Sequence, residues 1–381
     1  MIKSKLTGKN IIFISVLLFL FLPIIEDLTH FIYTKPLDGV IEKVRSPEFS
    51  DTAWFGRSFQ EKKEKYLNQE FGFRNFLVRL HNQICYSLFK EAYAKWVVVG
   101  KENYMYESGY IESYFGRNFI DDNYVKWKTT ELKNLQDTLK KKNKSLLVVI
   151  APGKASFYPE YIPDEYCYGK GRTFYESFCE NLTASGVEYV DFCQWFISMK
   201  NKSRYPLFPQ YGVHWSIYGS AIALDSLLKK IEAMRNVDLP DMKITGYEFP
   251  DTLRHPDYDV YKGMNLLLKP KTFQMAYPVI KVKDDSTKTK LSVLVIADSY
   301  YWNIYGLGVT DIAFTNNRFW FYNEQAYSSS GETKVLDLNL KEELDKTDMV
   351  VILSRDADIG RLGWGFIENC DTLFFQKKKI K

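Results

Sequence analysis

Hydrophobic and polar positions fall into three regimes along the chain. The first is an almost unbroken apolar run, IIFISVLLFLFLPII, from Ile11 to Ile25. Its length is about fifteen residues, short of the roughly 20 that an upright membrane span requires. The second regime, from Asp51 to about Ala94, is helical in period: Phe73, Phe76, Leu77, Leu80, Ile84 and Leu88 recur at three- and four-residue spacing, after a charged stretch with Glu61, Lys62, Lys63 and Lys65. KWVVVGKENYMY (Lys95 to Tyr106) then reads as a strand, a turn at Gly100 and a second strand. A further helix is predicted from about Tyr124 to Lys141 on Leu132, Leu135 and Leu139.

After Lys144 the third regime begins. LLVVI (Leu146 to Ile150), VEYVDF (Val187 to Phe192), LSVLVIA (Leu291 to Ala297) and MVVILS (Met349 to Ser354) are short apolar runs of the kind buried parallel strands show. Between them, Ile222, Leu224, Leu227, Leu228 and Ile231 mark a helix from about Ser216 to Ala233, with Ser216 as its N-cap. Strands alternating with helical stretches predict an α/β fold, a mainly parallel sheet with helices on both faces. The polar stretch KVKDDSTKTK (Lys281 to Lys290) reads as a surface loop.

Charge sharpens the reading of the amino terminus. Lys3, Lys5 and Lys9 precede the apolar run with no acid among them, so the first ten residues are expected in the cytoplasm. Pro23 and Glu26-Asp27 stand where a small-residue cleavage site would, which favours an uncleaved signal anchor over a cleaved signal peptide or a buried core helix. The expected organisation is a cytoplasmic tail at 1–10, a membrane anchor at 11–32, a helical segment at 50–115 and a catalytic domain at 120–381. That places the bulk of the chain at the cell membrane, facing the periplasm or the outside.

Net charge is only +4 and no basic stripe interleaves with aromatics, so nucleic acid is not an expected partner. An aromatic content of 16% places the chain outside the disordered class and suits sugar binding, as it also suits a Tyr-rich proteome. Five cysteines cannot all pair; Cys167 and Cys179 are near enough in sequence to bridge, although buried thiols are the simpler expectation. No CxxC occurs and the four histidines are scattered, so neither a metal nor a cofactor is expected.

The chemistry is expected at strand ends, since open α/β sheets bind ligands beyond their carboxyl edge. Asp298-Ser299 follows LSVLVIA there, and Gly153-Lys154 follows LLVVI. A serine so placed is a candidate nucleophile, and a following helix would aim amide groups at a developing oxyanion. Strand-then-Asp-Ser is a weak signal alone, as is His214 in QYGVHWSIYG, where packing beside Trp and Tyr is the bland alternative. Of the four histidines His214 is the best base: His30 borders the anchor, His81 lies within a helix and His255 in a Pro-containing loop. Asp298 reads as a loop-fixing residue, and Lys154 as a loop lysine that snorkels or pairs with a carboxylate.

Five blocks together resemble a known family, the SGNH-hydrolase-like acetyltransferases of alginate and related exopolysaccharide O-acetylation (the AlgJ and AlgX type). They are FGFRNFLVRLHNQICYSLF (Phe71 to Phe89), VVVGKENYMY (Val97 to Tyr106), VVIAPGKASFYPEYIP (Val148 to Pro163), GVHWSIYGSAIA (Gly212 to Ala223) and VLVIADSYY (Val293 to Tyr301). The resemblance implies an SGNH-like, flavodoxin-like fold. It also implies an exported or anchored protein that transfers an acyl group, usually acetyl, to a polysaccharide hydroxyl. It further implies a polytopic membrane-bound O-acyltransferase as donor partner, because acetyl-CoA is absent outside the cytoplasm. Ser299 takes the family's nucleophile position and His214 its base position; Tyr300 follows the serine, where its amide can serve the oxyanion. The family carries an acid two residues before the histidine, and here that residue is Gly212. Three alternatives follow: another carboxylate, Asp191 or Asp356, reaches the site; a Ser-His dyad works with a backbone carbonyl; or catalysis is lost and a polysaccharide-binding scaffold subunit remains. An SGNH-type carbohydrate esterase, with water as acceptor, is the rival within enzymes.

Overall fold

The structure, a computed structural model, describes residues 7–29, 31–39, 44–269, 271–283 and 285–375. His30, most of the expected cytoplasmic tail (residues 1–6) and the terminal lysines lie outside the described residues. The chain divides into two compact units: one reaches from the amino terminus to Lys95 and includes Tyr261–Lys271, and the other comprises Trp96–Val260 and Thr272–Lys381.

The first unit is helical. Helix α1 (Gly8–Thr29) is 22 residues, about 33 Å at 1.5 Å per residue, and is long and apolar enough to cross a bilayer. The apolar run is extended by polar ends, which supplies the length the run alone lacks. The predicted helical stretch from Asp51 forms three helices, α2 (Asp51–Phe55), α3 (Ser58–Glu70) and α4 (Arg74–Phe89). The breaks fall at Arg57 and Phe73, both left-handed. The periodic stripe on α4 is largely exposed, Ile84 at 46% and Leu88 at 71%, so its periodicity marks an apolar surface instead of a core. Asn265 ties its segment to this unit, its Oδ1 accepting from Arg79 Nη1 at 3.0 Å and from the Asp38 amide at 2.7 Å.

The second unit opens with the predicted hairpin, β1 (Val97–Val99) and β2 (Met105–Glu107), followed by α5 (Ser108–Tyr114) and α6 (Asp122–Lys141). Then come β3 (Ser145–Ala151), α7 (Lys154–Phe157), α8 (Phe174–Ser185), β4 (Tyr189–Asp191), α9 (Phe192–Met199) and α10 (Ile217–Arg235). A separate antiparallel pair, β5 (Met242–Glu248) and β6 (Tyr277–Val282), flanks α11 (Asp259–Gly263) in sequence. The chain ends with β7 (Leu291–Ala297), α12 (Tyr301–Tyr305), α13 (Val309–Ala313), β8 (Phe314–Phe321), β9 (Gln325–Ser328), β10 (Gly331–Lys334), α14 (Leu340–Asp345), β11 (Met349–Arg355) and α15 (Phe366–Phe374).

The main sheet has the order β10-β9-β8-β7-β11-β3-β4. Its five strands from β8 to β4 are parallel, and β9 and β10 add an antiparallel margin. The predicted mainly parallel sheet is therefore mixed at one edge. Residues Leu146, Val148 and Ile150 of β3 face a core built with Leu132, Leu135 and Leu139 of α6 and Phe178 of α8. The alternate positions Leu147 and Val149 are equally buried, so helices cover both faces and the strand runs lose their alternation. Two consecutive central strands, β7 and β11, end side by side with Ala297 opposite Leu353. The site is built beyond this edge.

Candidate active site

β7 delivers Asp298 and Ser299 past the sheet edge, and a tight turn follows. The buried Asp298 carboxylate fixes it, accepting from the Tyr300 amide at 3.0 Å and from the Arg355 amide at 2.8 Å. Asp298 is thus the loop-fixing residue read from the sequence, joining the ends of β7 and β11. Burial raises its pKa, with Arg355 opposing.

His214 arrives on the segment that precedes α10, whose N-cap Ser216 accepts from the Gly219 amide at 2.9 Å. The segment is held on both sides. Tyr300 donates its phenol to the Val213 carbonyl at 2.7 Å, Trp215 donates its indole N–H to the Tyr300 carbonyl at 3.1 Å, and Asn303 donates to the Trp215 carbonyl at 2.9 Å. These bonds set the imaginary line between two residues 85 apart in sequence: Ser299 Oγ lies 2.8 Å from His214 Nε2.

The other ring nitrogen meets a residue the sequence reading did not select. His214 Nδ1 lies 2.5 Å from Oδ2 of Asp259, at the start of α11. Oδ1 of the same carboxylate accepts from the Val213 amide at 3.0 Å and the Val260 amide at 2.7 Å, so both oxygens are engaged and oriented. A carboxylate only accepts, so Nδ1 carries its proton and Nε2 is left to accept the serine proton. Ser299, His214 and Asp259 form a hydroxyl–imidazole–carboxylate line.

Gly212 stands where the family's acid was sought, and the structure gives its reason. A Cβ there would sit 2.7 Å from the Pro256 carbonyl oxygen and 3.0 Å from Asp259 Oδ1. The space of the missing side chain is occupied by the segment that brings Asp259 in. No local signal marked Asp259, which lies 45 residues after His214; its only hint was a Pro-containing loop with two acids ahead of a short helix.

The acids expected to help do not face the imidazole. Asp191 caps α9, accepting from the Gln194 amide at 2.9 Å and from Tyr175 at 2.7 Å. Asp356 accepts from Ser156 and lines a pocket of about 190 Å³ with Tyr110, Tyr175 and Lys170. Burial raises the pKa of Asp356 as well. Two further expectations need correction. The Tyr300 amide is committed to Asp298, so it is not an open oxyanion donor; the residue contributes its phenol as a strut. Lys154 neither snorkels nor meets a carboxylate: it is fully buried and donates to the Gln210 and Gly212 carbonyls, each at 2.7 Å. Glu107, at the end of β2, was also missed; its pKa is raised by burial, and the charges of Asp259, His214 and Arg355 act on it.

Residues 97–279 match the family model described as SGNH hydrolase-like domain, acetyltransferase AlgX. The chain is 23% identical over 177 residues to the probable alginate O-acetylase AlgJ of Pseudomonas aeruginosa, a match covering 46% of this chain and 43% of that one. It thus spans less than half the length of the curated relative. Among solved structures it is similar to the O-acetyltransferase domain of Pseudomonas putida AlgJ, with TM-score 0.44, 16% identity and coverage of 69% and 92% of the two chains. A similar likeness is to AlgX of Pseudomonas aeruginosa, with TM-score 0.44, 15% identity and coverage of 72% and 67%. The chain is thus AlgJ/AlgX-like: its residues 97–279 are similar to the SGNH hydrolase-like domain of the AlgX acetyltransferase model.

Proposed function

We propose that the protein is an extracytoplasmic O-acyltransferase, in the first place an O-acetyltransferase, that modifies polysaccharide hydroxyls through an acyl-serine. The observation that carries this reading is the hydrogen-bonded line Ser299–His214–Asp259 at the carboxyl edge of the sheet. His214 Nε2 takes the Ser299 proton as Oγ attacks the carbonyl carbon of an acyl donor. The imidazolium then protonates the departing group, leaving the acyl ester on Ser299. A sugar hydroxyl, deprotonated in turn by His214, attacks that ester; the new sugar ester leaves and Ser299 recovers its proton. Asp259 holds the productive tautomer and stabilises the imidazolium.

The family resemblance supplies the acceptor and the donor. A polysaccharide is the acceptor, and a polytopic membrane-bound O-acyltransferase passes the acyl group across the bilayer. Helix α1 is the proposed single-pass anchor that keeps Ser299 near that partner, with the second unit facing the periplasm or the outside. With Asp259 in place, Gly212 no longer argues for a silent scaffold subunit.

Purified protein incubated with an aryl acetate, with and without oligosaccharide, tests the reaction. Acetylated saccharide is expected at the expense of free acetate. Aryl acetate consumed to acetate alone, with saccharide never modified, would establish a carbohydrate-esterase chemistry instead. Ser299→Ala is expected to abolish both products.

A further inference from the structure

Lys154 carries a buried amine that, among the described residues, makes no ion pair and touches no reacting atom. It begins α7 directly after β3, its side chain is fully buried, and the rings of Tyr104 and Tyr106 stand 5.7 and 5.5 Å from its Nζ. Burying an ammonium is expensive unless its hydrogens are used. Here two go to the carbonyls of Gln210 and Gly212, and the Gln210 oxygen also takes the Met105 amide at 3.0 Å. A lysine that only filled space would be replaced without loss by an apolar residue of its length.

Its second bond reaches the triad. The Gly212 carbonyl that accepts from Lys154 belongs to the same planar peptide whose N–H, on Val213, donates to Asp259 Oδ1 at 3.0 Å. That peptide is therefore held between the lysine's donating amine and a carboxylate, its dipole aligned with both. Pulling on the oxygen strengthens the N–H as a donor. The Asp259 carboxylate, in turn, is what His214 Nδ1 meets at 2.5 Å. We infer that Lys154 is a positioning residue: acting through the Gly212–Val213 peptide, it fixes the Asp259 carboxylate against His214 and so sets the imidazole on Ser299. Burial draws the Lys154 pKa well down, and the Asp259 charge opposes that shift.

The inference rests on the acyl-transfer reading for its kinetic consequence but not for its structural one, and two measurements separate them. The first is proton NMR of the His214 Nδ1–H in the full-length wild type, Lys154→Met and Asp259→Ala proteins. In Lys154→Met the resonance is expected to move upfield, toward Asp259→Ala. A resonance unchanged from wild type overturns the inference, whether or not Ser299 ever acylates.

The second is a double-mutant cycle on the rate of Ser299 acylation by an aryl acetate. Lys154→Met is expected to slow it about 10–100-fold, the range that outer partners of a working histidine carry, with KM nearly unchanged. In the Asp259→Ala background the same substitution is expected to change the rate less than about twofold, because the two act through one contact. Equal losses in both backgrounds would overturn the inference. Lys154→Gln, which keeps a donor for one carbonyl, is expected to recover part of the rate and of the resonance. If neither variant folds, Lys154 is a fold-stabilising residue and the positioning role is overturned.

Discussion

At the residue scale, the exchange between Gly212 and Asp259 decides whether the imidazole is oriented. A serine–histidine pair with no acid leaves the ring free to adopt the wrong tautomer, and loss of the orienting carboxylate in a serine protease costs about 10⁴ in rate. Asp259→Asn is accordingly expected to lower Ser299 acylation by up to about 10⁴-fold while leaving the fold intact, measured by stopped-flow release of the aryl group. Gly212→Ala tests the other half. Its Cβ meets the Pro256 carbonyl at 2.7 Å and Asp259 Oδ1 at 3.0 Å. The Pro256 backbone must shift and the acid give way with it, so acylation is expected to fall at least about tenfold and the melting temperature to drop as well. Gly212 was legible as a departure from the family pattern but not as a vacated space. Sequence spacing cannot show that a backbone carbonyl and a distant carboxylate occupy the volume a side chain would need. Ser299 and His214 were legible because each lies in a block of ordered, local pattern; Asp259 lies in none.

At the scale of elements, the site depends on where strands stop. β7 and β11 run in register to Ala297 and Leu353, and Asp298 ties their ends by accepting from the Arg355 amide. The apolar runs of β3, β7 and β11 were read from sequence within a residue or two, since buried parallel strands have no polar face. The long helical stretch after Asp51 was legible as helix but not as three helices, because its breaks fall on Arg57 and Phe73, residues with no intrinsic preference for the left-handed region they occupy. The turn ahead of α11 carries a second acid, Asp257, whose pKa burial raises to about 7, with Tyr277 and His214 opposing and Asp259 assisting. Its folded value exceeds the unfolded 3.8, so the folded state holds the proton more tightly. Its contribution to stability is present at low pH and is lost as pH rises from about 4 to about 7. Asp257→Asn cannot ionise, so it is expected to melt above wild type near pH 8, by less near pH 5, and to match it only at or below about pH 4, by thermal melts across that range.

At the scale of the whole molecule, a helical unit with one long apolar helix accompanies an α/β unit that holds the complete hydroxyl–imidazole–carboxylate line. If α1 is the proposed anchor, the protein is expected to stay with membranes through an alkaline wash and to need detergent for release; release by the wash would contradict anchoring. The α/β class was legible from the alternation of apolar runs and helical periods. The antiparallel margin of β9 and β10 was not, since short edge strands with exposed residues such as Gly331–Lys334 carry no apolar signature. Acyl transfer by this molecule is tested most directly by peptide mass spectrometry of the purified protein after brief exposure to an aryl acetate. The ester is expected on Ser299, absent in Ser299→Ala and slow to form in Asp259→Asn. An unmodified Ser299 while the substrate turns over, or an Asp259→Asn protein that acylates as fast as wild type, would contradict it.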